Sequence, residues 1–126
     1  MVVLAEYWFP GTFTALNEYT AKNRAHWSKG AKSKKDETQG IYYDLIGKLP
    51  IQEYPVHIEF HWRCVDERHD PDNIAFAKKF ILDGMVEARV LEGDSWKYLN
   101  GGFRDYFRVD KKEPGVVVIV KQVEEE

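Results

Sequence analysis

A chain of 126 residues, 44% hydrophobic and 31% charged with 7 Phe, 7 Tyr and 4 Trp, suits one domain over residues 1–126 and excludes wholesale disorder. Its apolar runs reach only about five or six residues, as at Val116–Val120, too short for a membrane-spanning helix; Met1–Ala5 meets Glu6 too soon for a signal peptide. The net charge of −3 argues, as an average, against a nucleic-acid partner.

Residues 2–9 are β-branched and aromatic and predict a strand, ended by Pro10-Gly11. Residues 12–30 read mostly as loop. Here the average charge misleads: Lys22, Arg24, Lys29, Lys32, Lys34 and Lys35 fall within residues 21–35 with no acid among them. A +6 segment on a body of −9 is a dipolar molecule, and the segment suits phosphate, with His26 and Trp27 as stacking surfaces. Thr38, Ile41, Tyr42 and Leu45 recur at helical spacing and predict a helix over residues 31–47, closed by Leu49-Pro50. Residues 56–64 alternate strictly, with Val56, Ile58, Phe60, Trp62 and Cys64 on one face and His57, Glu59, His61 and Arg63 on the other. The lone Cys64 cannot form an internal disulfide, which favours a cytoplasmic location.

A polar connection follows, then a helix from about Asp72, its N-cap, to about Ala88. Residues 103–109 and 116–123 predict an antiparallel pair joined across residues 110–115. Glu124–Glu126 is expected to be a frayed end. The order predicts an α+β two-layer domain with a mixed or antiparallel sheet and two main helices.

The chemically loaded stretch is Asp70-Pro71-Asp72-Asn73, a helix, then Gly93-Asp94-Ser95. On a wheel with Asp72 at zero, Lys79 and Asp83 fall at about −20° and +20°, opposite an apolar stripe of Ile74, Ala77, Ile81, Met85 and Ala88. Lys78 falls at about −120°, so the wheel selects Lys79. Phe76 and Phe80 fall outside the stripe, at about +40° and +80°, which suits a dimer contact or a covering loop. Two carboxylates about 4 Å apart repel by roughly 1–4 kcal/mol, which a hard divalent cation such as Mg²⁺ or Mn²⁺ would remove. Asp94 is the candidate third ligand, and the lysine could neutralise a scissile phosphate. Asp-Pro-Asp-Asn is also an ordinary turn and cap. An EF-hand fails because its sixth and twelfth positions would be Ala75 and Ile81. Zinc on His57, His61, Cys64 and His69 is disfavoured because Cys64 faces away from His57 and His61.

Taken together, Asp70-Pro71-Asp72-Asn73, Lys79-Phe80-Ile81-Leu82-Asp83-Gly84-Met85 and Gly93-Asp94-Ser95 resemble the RusA-type Holliday junction resolvases, especially their phage and prophage branch. Phe9-Pro10-Gly11 and Leu16-Asn17-Glu18-Tyr19 are similar to phage members too. The resemblance implies a homodimeric α+β endonuclease that cuts four-way DNA junctions with Mg²⁺ or Mn²⁺. It implies Asp70, Asp72 and Asp94 as catalytic metal ligands and Lys79 as the essential lysine. Two departures stand out. Gly93 replaces the first aspartate of the distal pair, and the stretch from Asn73 to Lys79 is about three residues longer than the family pattern, which keeps Lys78 open. A flap, fork or RNA nuclease and a non-catalytic DNA-binding dimer remain alternative readings.

Overall fold

Strand β2 (Val56–Cys64) forms where the alternation predicts it, and Val56, Ile58, Phe60 and Trp62 are buried along one face. The computed structural model describes residues 1–13, 15, 18, 20, 21 and 27–123, and of residues 27–35 only the backbone. Within these bounds the chain runs through β1 (Val2–Pro10), α1 (Trp27–Leu45), β2, α2 (Pro71–Ala75), α3 (Lys78–Glu87), α4 (Trp96–Leu99), β3 (Phe103–Val109) and β4 (Gly115–Gln122). Four strands make one mixed sheet in the order β1-β4-β2-β3, and α1 and α3 pack together to form the second layer. The α+β two-layer architecture is therefore as expected. None of the described helices is long and apolar enough to cross a membrane.

The predicted hairpin is not what forms. β4 lies between β1 and β2, antiparallel to both, while β3 pairs parallel to β2 at the sheet edge. Composition accounts for the exchange. Val116, Val118 and Val120 are fully buried and belong in the centre, whereas β3 carries Arg104, Asp105 and Arg108 and is exposed along most of its length. Charged side chains suit an edge, where they also discourage further strand pairing.

The predicted helix over residues 72–88 is broken in two. Its N-cap is Asp70 rather than Asp72, with Pro71 at the first helical position, which proline favours. At the break, Ala77 N donates to Ile74 O (3.1 Å), Lys79 N to Phe76 O (3.2 Å) and Phe80 N to Ala77 O (3.0 Å), tight three-residue turns that reset the helical phase. A wheel drawn through Asp72 and Lys79 as one helix thus fails, although Lys79 and Asp83 share a face of α3. The helix α1 begins at Trp27, four residues earlier than predicted, and ends at Leu45.

Ile41 and Leu45 of α1 and Phe80, Ile81 and Met85 of α3 join Phe9, Ile58, Phe60 and Val118 in one core. The layers meet tightly at Gly84, where a Cβ would lie 2.6 Å from Ile41. Phe80 is 1% exposed and belongs to the core, which corrects its expected place outside the apolar stripe, at a dimer contact or under a covering loop; Phe76 is half-buried and packs edge-on to it at 5.4 Å.

The opposite sheet face carries a buried carboxylate. Lys121 Nζ donates to Glu59 Oε2 at 2.7 Å, and His61 Nε2 lies 3.1 Å from Oε1. The Lys121 hydrogen bond, aided by His61, outweighs burial and holds the Glu59 carboxyl below its usual range. A lowered folded-state pKa contributes stability that is complete above the ordinary carboxylate value and lost as pH falls through the lowered one. Glu59→Gln is therefore expected to destabilise the protein at pH 7 by about 1–3 kcal/mol. Urea unfolding at pH 7 and pH 3 should show the gap to wild type narrowing at the acid end; an unchanged gap would contradict the pairing.

Candidate functional site

Asp70 and Asp72 stand on either side of Pro71 at the start of α2, and both are exposed. The backbone carbonyl of Asp70 accepts from Asn73 N (3.0 Å) and Ile74 N (3.2 Å), while its carboxylate makes no capping bond. Asp72 Oδ1 accepts from Asn73 N at 3.0 Å. The helix start thus fixes the backbone of both aspartates and leaves the Asp70 carboxylate off the cap. Asp70 and His69 line one side of an open groove of about 310 Å³ whose other side is Phe107, Arg108 and Val109 of β3. His69 Nε2 lies 3.6 Å from Glu18 Oε1.

Lys79 and Asp94 come together. Lys79 Nζ is 3.1 Å from Asp83 Oδ1 and 3.6 Å from Asp94 Oδ2. The Asp83 hydrogen bond, reinforced by Asp94, raises the Lys79 ammonium above its ordinary pKa despite some desolvation, so it stays cationic at neutral pH. Lys78 turns elsewhere. Its Nζ meets Asp105 Oδ2 at 2.8 Å and lies 5.2 and 4.8 Å from the ring centres of Phe60 and Phe103. Asp105 Oδ1 also accepts from Trp62 Nε1 at 2.9 Å. Lys78 therefore ties β3 to α3, while Lys79 faces the distal aspartate.

Asp94 sits on a turn fixed by two tyrosines. Tyr54 Oη accepts from Glu92 N at 2.9 Å, and the Tyr54 and Tyr98 rings meet edge to face at 5.2 Å. Burial raises the Tyr54 phenol above its ordinary pKa, so it remains a neutral hydroxyl. The Tyr98 ring lies against Gly93 so closely that a Cβ there would be 2.4 Å from Cε2. The glycine that departs from the expected aspartate pair is thus the residue this tyrosine packing requires. Gly93→Asp is expected to lower stability by about 1–3 kcal/mol through overpacking. Adding Tyr98→Ala should recover part of that loss in thermal melts; strictly additive losses would refute the steric cause.

The residue types fit a hard cation, but their placement does not form its site. Among the described residues no three His, Cys, Asp or Glu side chains are grouped to hold a metal ion, Asp70, Asp72 and Asp94 included. The same holds for His57, His61, Cys64 and His69. His57 Nδ1 is 2.9 Å from Gly101 O, and His61 stacks on Tyr106 on the sheet face away from the helices.

Of the basic segment, Lys22 and Arg24 lie outside the described residues, as does His26. Lys29, Lys32, Lys34 and Lys35, with Trp27, are placed on α1, but their side chains are outside the description, as is the whole of Glu124–Glu126. Sequence reasoning missed Tyr54, Tyr98 and Asp105. Nothing local pointed to the tyrosines packed around Gly93, nor to Asp105, whose partners lie 27 and 43 residues away. No protein-family model matches the chain, and no curated protein matches it.

Proposed function

We propose that the protein is a structure-selective DNA endonuclease of RusA-like character, hydrolysing phosphodiesters in four-way junctions with Mg²⁺ or Mn²⁺. The observation that carries the reading is the Lys79–Asp94 contact at 3.6 Å, which joins residues of two separate motifs, 15 positions apart. A lysine kept cationic beside an exposed aspartate offers positive charge to a scissile phosphate. Asp70, Asp72 and Asp94 are the candidate ligands for the cation, which would supply an activated water and charge stabilisation. Their exposed side chains would have to be drawn together on binding. The basic residues of the 21–35 segment are the candidate phosphate contacts. A junction has near-twofold symmetry and needs two opposed cuts, which a twofold homodimer provides. The cytoplasm is the expected setting.

A second reading, a non-catalytic DNA-binding dimer, is favoured by the absence of a preformed group of three ligands among the described residues. The two separate in one assay. A synthetic four-way junction, a linear duplex and a flap are incubated with the protein, with and without Mg²⁺ or Mn²⁺, beside Asp94→Asn. We expect metal-dependent cutting of the junction, lost in Asp94→Asn. Binding without cleavage would sink the enzyme reading. Cutting that favours the flap or an RNA substrate would leave a nuclease but replace the junction.

A further inference from the structure

The sheet face turned away from α1 and α3 has a pattern that the acidic site does not use. In register, one row across all four strands reads Trp8, Val117, His61, Tyr106. On one side of it lies the row Gly115, Arg63, Arg108, and on the other Glu6, Ile119, Glu59, Arg104. An aromatic stripe is thus flanked by guanidinium groups on both sides, with rows about 6.6 Å apart. The groups are also arranged. Tyr106 stacks on His61 at 4.5 Å and 12°, the Arg104 guanidinium lies 4.9 Å from the Tyr106 ring centre, and that of Arg63 lies 4.7 Å from Trp8. Trp8 and Tyr106 nevertheless remain 40% and 38% exposed. Beside Tyr106 runs an open groove of about 350 Å³, floored by Val117 and Ile119 and edged by Glu6, Arg63, Tyr106 and Arg108.

We infer that this face binds an unpaired nucleic-acid strand, with bases packed along the Trp8–Tyr106 row and phosphates on Arg63, Arg104 and Arg108. An apolar floor with aromatic walls accepts any base, and flanking guanidiniums track a phosphate backbone. Two of those guanidiniums are held only loosely by carboxylates. Arg63 is 3.6 Å from the exposed Glu113, and Arg108 is 3.7 Å from Asp110, long contacts that a phosphate can replace. Charge suits a polyanion here. On the strands of this face Arg63, Arg104, Arg108 and Lys121 stand against Glu6 and Glu59, an excess of cations that favours phosphate. The groove also leads somewhere: Phe107 and Arg108 line both it and the groove beside Asp70. A strand laid on the sheet would pass over the β3 edge toward the acidic residues. The inference extends the proposed function but does not need the acidic residues to cut.

The test is fluorescence anisotropy of labelled dT15 with the full chain in EDTA, so that no cleavage enters. Tyr106→Ala is expected to weaken binding roughly tenfold, while Tyr106→Phe, which keeps the ring, stays within about twofold. Arg108→Ala is expected to weaken binding severalfold and to lower the salt slope by about 1. A parallel titration with rU15 tells DNA from RNA, either preference supporting an unpaired strand. Three results would overturn the inference: a folded Tyr106→Ala with wild-type affinity, duplex competing as well as dT15, or a change of sedimenting mass in Tyr106→Ala, which would make the face a self-contact. A protein that cuts junctions yet shows any of these loses this inference alone. One that binds dT15 through Tyr106 but cuts nothing loses the nuclease reading alone.

Discussion

Replacing Lys79 by methionine is expected to lower metal-dependent junction cleavage by about 10²–10³-fold while leaving thermal stability within about 0.5 kcal/mol of wild type. The side chain is 57% exposed, so little packing is lost, and its ion pairs with Asp83 and Asp94 are surface contacts of small net worth. Its proposed value lies in the charge it places beside Asp94. The neighbouring substitution Lys78→Met should do the reverse. Lys78 and Asp105 are only 18% and 22% exposed, and without the ammonium Asp105 keeps Trp62 Nε1 alone on a largely buried carboxylate. A loss of about 1.5–3 kcal/mol is expected, with cleavage per folded molecule nearly unchanged. Single-turnover cleavage and urea unfolding on the same two variants measure both quantities. Equal cleavage defects in the two lysines would remove the basis for assigning the role to Lys79.

The wheel that selected Lys79 reached a distinction the geometry also draws, but partly by a wrong route. It treated residues 72–88 as one helix, so the angle between Asp72 and Lys79 had no meaning once the turns at residues 76–77 reset the phase. The Lys79–Asp83 relation survived because both lie within α3, where spacing by four places side chains on one face. The spacing rule held for this pair within α3 and failed for the pair that spans the break.

Strand pairing shows the same limit. Residues 56–64 announced a strand by strict alternation, and β2 has those bounds. The spacing of residues 103–122 did not show that β4 leaves β3 and enters between β1 and β2. Proximity in sequence favoured a hairpin, whereas burial favoured the valine-rich strand at the centre. A comparison of the two strands' apolar content could have hinted at the outcome, since β3 has charged residues on both faces and β4 has a buried row. At the site, the motif residues were legible because their spacing is a sequence property. Their supports were not: the tyrosine packing around Gly93 and the Asp105 bridge come from chain segments 27 to 43 residues apart or from ring positions that spacing does not encode.

Phe80 offers the sharpest test of where that local reading broke down. On the wheel it lies off the core stripe and suits a surface between two copies, yet it is 1% exposed and packs in the one core with Ile81 and Met85. The reason is that Phe80 packs among core residues of both α1 and the strands, so the buried arc of α3 takes in Phe80, Leu82 and Gly84 as well as the stripe. Phe80→Ala is expected to cost about 3–5 kcal/mol, the loss of a buried aromatic ring plus the cavity it leaves. The cost should be the same at low and high protein concentration, because a core residue stabilises each chain by itself. A dimer contact would instead make the loss depend on concentration through mass action. Thermal melts of wild type and Phe80→Ala over about a hundredfold range of concentration, within the form of linkage just stated, decide the matter. A small loss near 1 kcal/mol, or one that shrinks on dilution, would return Phe80 to the surface.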